Sequence, residues 1–265
     1  MSDDGGEVLL PGGLTNAGLV TRVGDTVRRP RRHGSPSTWA LLDHLERVGF
    51  DGAPRFLGLD DRGREILSFI PGEAVLEPYP DWALTDEALV SVAELLRRYH
   101  DAAGSFGAAG WTWPEFVPGE FREGLISHND PKLDNVIFSG GVAVGLIDFD
   151  LASPGSAVWD VTCAARLWAP LRDERDVPEP LRGRTLERLR IFADAYGLAR
   201  RDRSRVADAA ILAHERCYRV VRTALSGGHE TFGRMWREGG QARTDRTHRW
   251  LASHGSQMRA ALRVA

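Results

Sequence analysis

Two polar clusters joined by a tight hairpin constrain this chain more than any other feature. The run His128-Asn129-Asp130-Pro131-Lys132-Leu133-Asp134-Asn135 precedes Val136 to Phe138, a Ser139-Gly140-Gly141 turn, and Val142 to Ile147. Short apolar segments on either side of a Gly-Gly turn read as an antiparallel hairpin. The second arm ends directly on Asp148-Phe149-Asp150.

The order and spacing of these groups carry chemistry. Asp130 stands two residues after His128, Asn135 five after Asp130, and Asp148 thirteen after Asn135. Phosphoryl transfer uses a carboxylate to take or orient the acceptor hydroxyl proton, and an amide and a second carboxylate to hold Mg2+ on the nucleotide phosphates. No competing chemistry stands out. The His and Cys residues lack zinc spacing, no Gly-x-Ser-x-Gly elbow occurs, and no Walker-type Gly-Lys-Ser/Thr loop is present.

Upstream, the pattern predicts short strands with Gly-rich turns at Val8 to Leu10, Gly18 to Val23 and Thr26 to Arg29. Ser35-Pro36 reads as a helix start, with Ser as the cap, and Leu41, Leu42, Leu45 and Val48 follow at helical spacing up to Gly49. Strands are expected at Arg55 to Leu59 and Glu65 to Ile70 around an Asp60 to Gly63 turn, and Pro71-Gly72 closes the unit. From Thr85 the chain turns helical, first through Leu89, Val92, Ala93, Leu96 and Tyr99 to Gly104. Later helices are expected near 156–169, 181–197, 204–225 and from 241.

A small sheet with one helix, then a large helical region whose hairpin carries carboxylates, resembles the aminoglycoside phosphotransferase and choline kinase-like family of the protein-kinase-like superfamily. The resemblance is carried by residues 125–165 and extends to 9–72. It implies an α+β, two-lobed fold, with residues 1–72 as a nucleotide-binding lobe and 73–265 as a catalytic and substrate-binding lobe. It also implies an ATP- and Mg2+-dependent enzyme that phosphorylates a hydroxyl of a small molecule. A kinase-like subgroup associated with resistance to bacterial toxins is also similar, so a nucleotide-binding, resistance or immunity protein with little transfer is the alternative.

On that resemblance Asp130 is the catalytic carboxylate, on a loop stiffened by Pro131. Asn135 and Asp148 hold the metal. Lys132 is the chain's single lysine among 34 basic residues. Its expected role is to neutralise charge on the transferred group, against the plainer reading of an exposed loop lysine. His128 and Asp160 are expected to brace the loop, and Asp150 to assist the metal or cap a turn. Gly12 and Gly13 would let backbone amides approach the phosphates, although a plain hairpin turn is as good a reading. Ser68, Phe69 and Ile70 match the hinge whose backbone meets the base. Kinases clamp the α and β phosphates with a strand lysine paired to a helix glutamate. Arg29 is the expected substitute, with Arg28 competing, and the helix offers no clear glutamate partner.

Composition narrows the partners. Residues 1–155 hold 13 Lys plus Arg against 24 Asp plus Glu, and residues 156–265 hold 21 against 13, giving −11 and +8. The basic half has neither a basic run nor interleaved aromatics, so nucleic acid is not expected as a partner. Solvated helix faces are its plainer explanation. It does argue for an acceptor less cationic than an aminoglycoside. The opening Met-Ser-Asp-Asp-Gly-Gly lacks signal-peptide features, no apolar run suits a membrane, and Cys163 and Cys217 suit free thiols. A cytoplasmic location is therefore expected. Nothing in the pattern specifies an oligomeric state.

Overall fold

A computed structural model describes residues 6–10, 18–32, 34–228 and 230–263. The N-terminal part contains Val8–Leu9 (β1), Thr21–Val23 (β2), Thr26–Arg29 (β3), the helix Ser35–Arg47 (α1), Phe56–Leu59 (β4) and Glu65–Ser68 (β5). The strands form one antiparallel sheet in the order β1-β2-β3-β5-β4. Gly24 adopts a φ of 56°, which allows the two-residue β2–β3 turn. Between β4 and β5 the Asp60 side chain accepts hydrogen bonds from the Arg62 and Arg64 amides. The resulting register sets Arg29 of β3 opposite Glu65 of β5.

Helix α1 buries Leu41, Leu42 and Leu45. Its start differs from expectation. Gly34 is the N-cap, and Ser35 and Pro36 occupy the first helical positions without a side-chain cap. Ser35 Oγ instead accepts from the Arg32 amide and donates to Glu65. A buried carboxylate there competes successfully for the hydroxyl.

At Gly72 the chain crosses to the second part with a φ of 145°, and a Cβ would meet the Phe138 carbonyl oxygen at 2.3 Å. Glu73–Ala74 (β6) then pairs with the second part. Asp86–Ala103 (α2) is capped by Thr85, whose hydroxyl accepts from the Ala88 amide. Leu125–Ser127 (β7), Val136–Ser139 (β8), Val142–Leu146 (β9) and Ser153–Gly155 (β10) follow. They make a β6-β8-β9 sheet and a β10-β7 pair. The β8–β9 turn uses Gly140 and Gly141 at φ 58° and 80°, as a Gly-Gly hairpin requires.

The remainder is helical: Ala157–Trp168 (α3), Thr185–Tyr196 (α4), Arg200–Arg203 (α5), Val206–Ser226 (α6), Glu230–Met235 (α7) and Gln241–Ala261 (α8). The segment before α8, unassigned from sequence, forms α7 and a wide turn at Trp236–Gly240, where Gly239 takes a φ of 107°. Tyr99, Phe138, Phe149, Trp159 and Trp168 are fully buried and pack the core beneath the hairpin. Among the described residues no helix is long and apolar enough to cross a membrane.

Candidate active site

The loop from His128 to Asn135 is held from beneath. Asp160 on α3 is wholly buried, and its two oxygens accept from the His128 and Asn129 amides at 2.7 and 2.8 Å. His100 of α2 contributes Nε2 to the same carboxylate at 2.8 Å, and its Nδ1 meets the Tyr196 hydroxyl at 2.7 Å. Burial alone would raise the Asp160 pKa, but the His100 contact and the charges and amide around it leave it below the ordinary value. The expected bracing role of Asp160 is thus explicit in its bonds.

Asn129 sits at φ 68°, a left-handed conformation that Asn tolerates better than most side chains. Its amide nitrogen donates to Leu151 O and Ser153 Oγ, and its oxygen accepts from Trp159 Nε1. His128 donates through Nε2 to Ile147 O at 3.0 Å, while its Nδ1 accepts from the Asp130 amide. That tautomer is neutral, and burial pushes the His128 pKa down. His128 therefore ties the loop to the end of the hairpin. Trp168 Nε1 donates to Pro131 O at 2.9 Å, an additional anchor from the end of α3.

Asn135 Nδ2 donates to both the backbone oxygen and Oδ2 of Asp130, at 2.9 and 3.0 Å. The carbonyl partner fixes the amide orientation, since only the NH2 group can donate to it. Asn135 Oδ1 consequently remains the available donor atom for a cation. Lys132 Nζ lies 3.0 Å from Asp134 and 3.9 Å from Asp130. Asp134 is thereby the partner of Lys132. Burial pushes Asp130 up to about 7, opposed by the charges of Lys132 and Arg166 and helped by those of Asp148 and Asp134.

Asp148 also takes a left-handed conformation, at φ 63° and ψ 66°. One of its oxygens lies 3.1 Å from Arg29 Nη1, and Asp150 lies 2.8 Å from Arg29 Nη2. Arg29 Nε donates to Glu65 at 2.6 Å. The guanidinium is almost entirely buried and spans three carboxylates. Burial alone would lower its pKa, but Asp150, Glu65 and Asp148 hold it above the ordinary value. Arg28, the competing candidate, bonds instead to Thr26 and the Val27 carbonyl.

Glu65 is the residue that sequence reasoning missed. The glutamate partner was sought on α1, but it comes from β5, fully buried and also accepting from Ser35 and from Trp39 Nε1 at 3.0 Å. A glutamate opening an otherwise apolar strand, in register with an arginine, was the available signal. Asp150 serves chiefly as an Arg29 partner.

The nucleotide-side expectations divide. Gly12 and Gly13 lie outside the described residues. The amides of Ser68 and Phe69 are already bonded to the Arg55 and Asp25 carbonyls, at 2.9 Å each. The Phe69 ring lies beneath the Arg22 guanidinium, 3.7 Å from its centroid. Of the three hinge positions, the Ile70 amide has no such bond among the described residues. Backbone pairing at this hinge must use Ile70 or carbonyl groups rather than the other two amides.

Among the described residues no cluster of three His, Cys, Asp or Glu side chains could form a self-contained metal site. The donors present, one amide oxygen and one or two carboxylates, suit Mg2+, which keeps waters and phosphate oxygens as its other ligands.

The fold and this loop define a class. The phosphotransferase enzyme family matches residues 111–208. A choline/ethanolamine kinase family protein from Mesorhizobium loti superposes with a TM-score of 0.67 at 17% identity, covering 100% of this chain and 95% of that one. Aminoglycoside 2'-phosphotransferase-IIIa superposes with a TM-score of 0.59 at 13% identity, covering 97% and 94%. Residues 111–208 thus carry the pattern of the phosphotransferase enzyme family, and the chain has the protein-kinase-like, two-lobed α+β fold of these neighbours. Within that class, it shares 34% identity over 267 residues with the trifolitoxin immunity protein of Rhizobium leguminosarum bv. trifolii. That match covers 97% of this chain and 98% of the relative, which places the two in one family.

Proposed function

We propose that this protein is an ATP- and Mg2+-dependent phosphotransferase acting on a hydroxyl group of a small molecule. The observation that carries the reading is the bonding of Asn135. Its NH2 group is held on Asp130, so the catalytic carboxylate and the metal-facing amide oxygen share one rigid loop. A pure binder has no need of Asp130, Asn135 and Asp148 together.

Asp130 orients the acceptor hydroxyl and receives its proton as the new O–P bond forms and the bond to ADP breaks. Asn135 and Asp148 would hold Mg2+, which when bound neutralises the phosphate oxygens. Lys132, 3.9 Å from Asp130, is placed to neutralise charge on the transferred group. Arg29 takes the part of the strand lysine and Glu65 that of its partner. The free thiols of Cys163 and Cys217 support a reducing, nucleotide-rich cytoplasm as the protein's compartment.

The whole-length relative favours a second statement about biological role: protection of the cell against an antibacterial toxin. Phosphorylation of the toxin, and its sequestration without turnover, are the two ways this fold could serve that role. Calorimetry with Mg-ATP, followed by ADP release in an acceptor screen with Asp130→Ala as control, separates them. Asp130-dependent ADP and product formation supports transfer. Absence of nucleotide binding at millimolar concentration rejects it in favour of sequestration.

A further inference from the structure

Ten of the 21 arginines of the second half make an ion pair among the described residues, among them Arg184 and Arg188 with Asp86, Arg203 with Asp194, Arg205 with Glu123 and Arg246 with Asp176. Most of the others are exposed, whereas Arg166 and Arg172 are half-buried. Arg166 on α3 has a buried Nε without a partner, and its Nη2 donates only to the Cys217 sulfur at 3.0 Å. The Arg172 guanidinium has no hydrogen bond or ion pair among the described residues. Arg243, at the start of α8, makes a single long contact of 3.9 Å with Asp176.

Arg172 shares a cavity with the catalytic loop, and the charges of Arg166 and Arg243 act on it. Arg172 lines a small cavity with Leu133, Tyr79 and Trp168, and Trp168 is bonded to Pro131. Cys217, which accepts from Arg166, feels the charges of Asp130 and Lys132 as well. Burial first, then Arg166, pushes the Arg172 pKa down, and Arg243 adds to that effect. Of the nearby carboxylates, Asp134 is committed to Lys132 and Asp176 bidentately to Arg246, while Asp130 feels the charge of Arg166 without an ion pair to it.

A desolvated guanidinium without a counter-charge is destabilising, and its fork of donors matches carboxylate and phosphate oxygens. We propose that Arg166 and Arg172, with Arg243 at the rim, bind an oxyanion carried by the acceptor, a carboxylate or a phosphate close to the reacting hydroxyl. The inference rests on the phosphotransferase reading for the hydroxyl and goes beyond it in naming the acceptor's charge. A polycationic acceptor would meet like charge at this position.

The test is calorimetric titration, with and without Mg2+ and a non-hydrolysable ATP analogue, using gluconate, glucose 6-phosphate, glucose and glucosamine as matched probes. At least one anion should bind about tenfold or more tightly than glucose, with glucosamine weakest. The stronger anion distinguishes carboxylate from phosphate. Arg172→Ala, which removes no bond from the fold, and Arg166→Lys should each bring the anion towards the glucose value. Equal affinities, preference for glucosamine, no heat from either anion, or anion binding unchanged in both variants overturns the proposal. Anion preference without transfer to any acceptor would reject the phosphotransferase reading and leave this site standing. Transfer confined to glucosamine would do the reverse.

Discussion

Arg29 Nε lies 2.6 Å from Glu65 across the β3–β5 ladder, and the same guanidinium reaches Asp148 and Asp150. One permanently charged side chain thereby connects the small sheet to the Asp148 end of the hairpin. A lysine presents a point charge and cannot bridge three carboxylates in this planar way. Under the proposed function this strand-to-strand pair would take the part of a strand-to-helix clamp.

Arg29→Met should destabilise the fold by about 3–5 kcal/mol, because it strands the buried Glu65 carboxylate. Chemical denaturation would register this as a lower midpoint. Arg29→Lys should recover much of the stability while Mg-ATP affinity stays about tenfold weaker, since the bridging geometry is lost. Wild-type nucleotide affinity in Arg29→Lys would remove Arg29 from the nucleotide site.

Asp130→Asn should cut transfer by roughly 10²–10⁴-fold, the usual range for losing a general base. Its denaturation midpoint should match or exceed the wild type, because burial disfavours the native carboxylate. Lys132→Ala should lower turnover with little change in nucleotide affinity. Unchanged turnover would return Lys132 to the role of a loop lysine.

Asp160→Asn should cost about 3 kcal/mol, because a neutral amide cannot accept from both loop amides and His100 equally well. The NH2 group would face a donor. Hydrogen exchange at residues 128 and 129 should accelerate first, before global unfolding.

His214 should remove stability as pH drops from about 7 to about 5, while Asp130, pushed up to about 7, acts in the opposite sense over the same interval. Burial and the nearby Arg166 lower the His214 pKa from 6.5 to about 4. The unfolded chain therefore takes up a proton that the folded one refuses. This contribution is complete above the unfolded value and declines below it, by about 2 kcal/mol over this interval. His214→Asn should flatten that part of the profile, measured by urea midpoints at several pH values.

Much of the site is legible where its determinants are adjacent in the chain. Asp130, Lys132, Asp134 and Asn135 occupy one loop, and the Gly-Gly hairpin returns the chain to Asp148. Helices α2 and α3 follow from apolar spacing and caps at Thr85 and Ser156. The start of α1 departs from local preference because a buried carboxylate thirty residues along the chain, Glu65, claims the Ser35 hydroxyl. The wide turn before α8 escaped notice because its glycines interrupt the helical period.

By itself the sequence determined where the candidate site lies, since a few consecutive residues contain the carboxylates, the amide and the lysine. Only the tertiary structure decided which partners Arg29 has and left Arg166 and Arg172 without a counter-charge among the described residues. Glu65 reaches Arg29 through strand register, the packing of α3 against α6 sets Arg166 on Cys217, and Arg172 shares a cavity with Leu133 of the loop. The meaning of a charged side chain depends on whether folding brings it a counter-charge, and such pairings join residues that the chain keeps far apart.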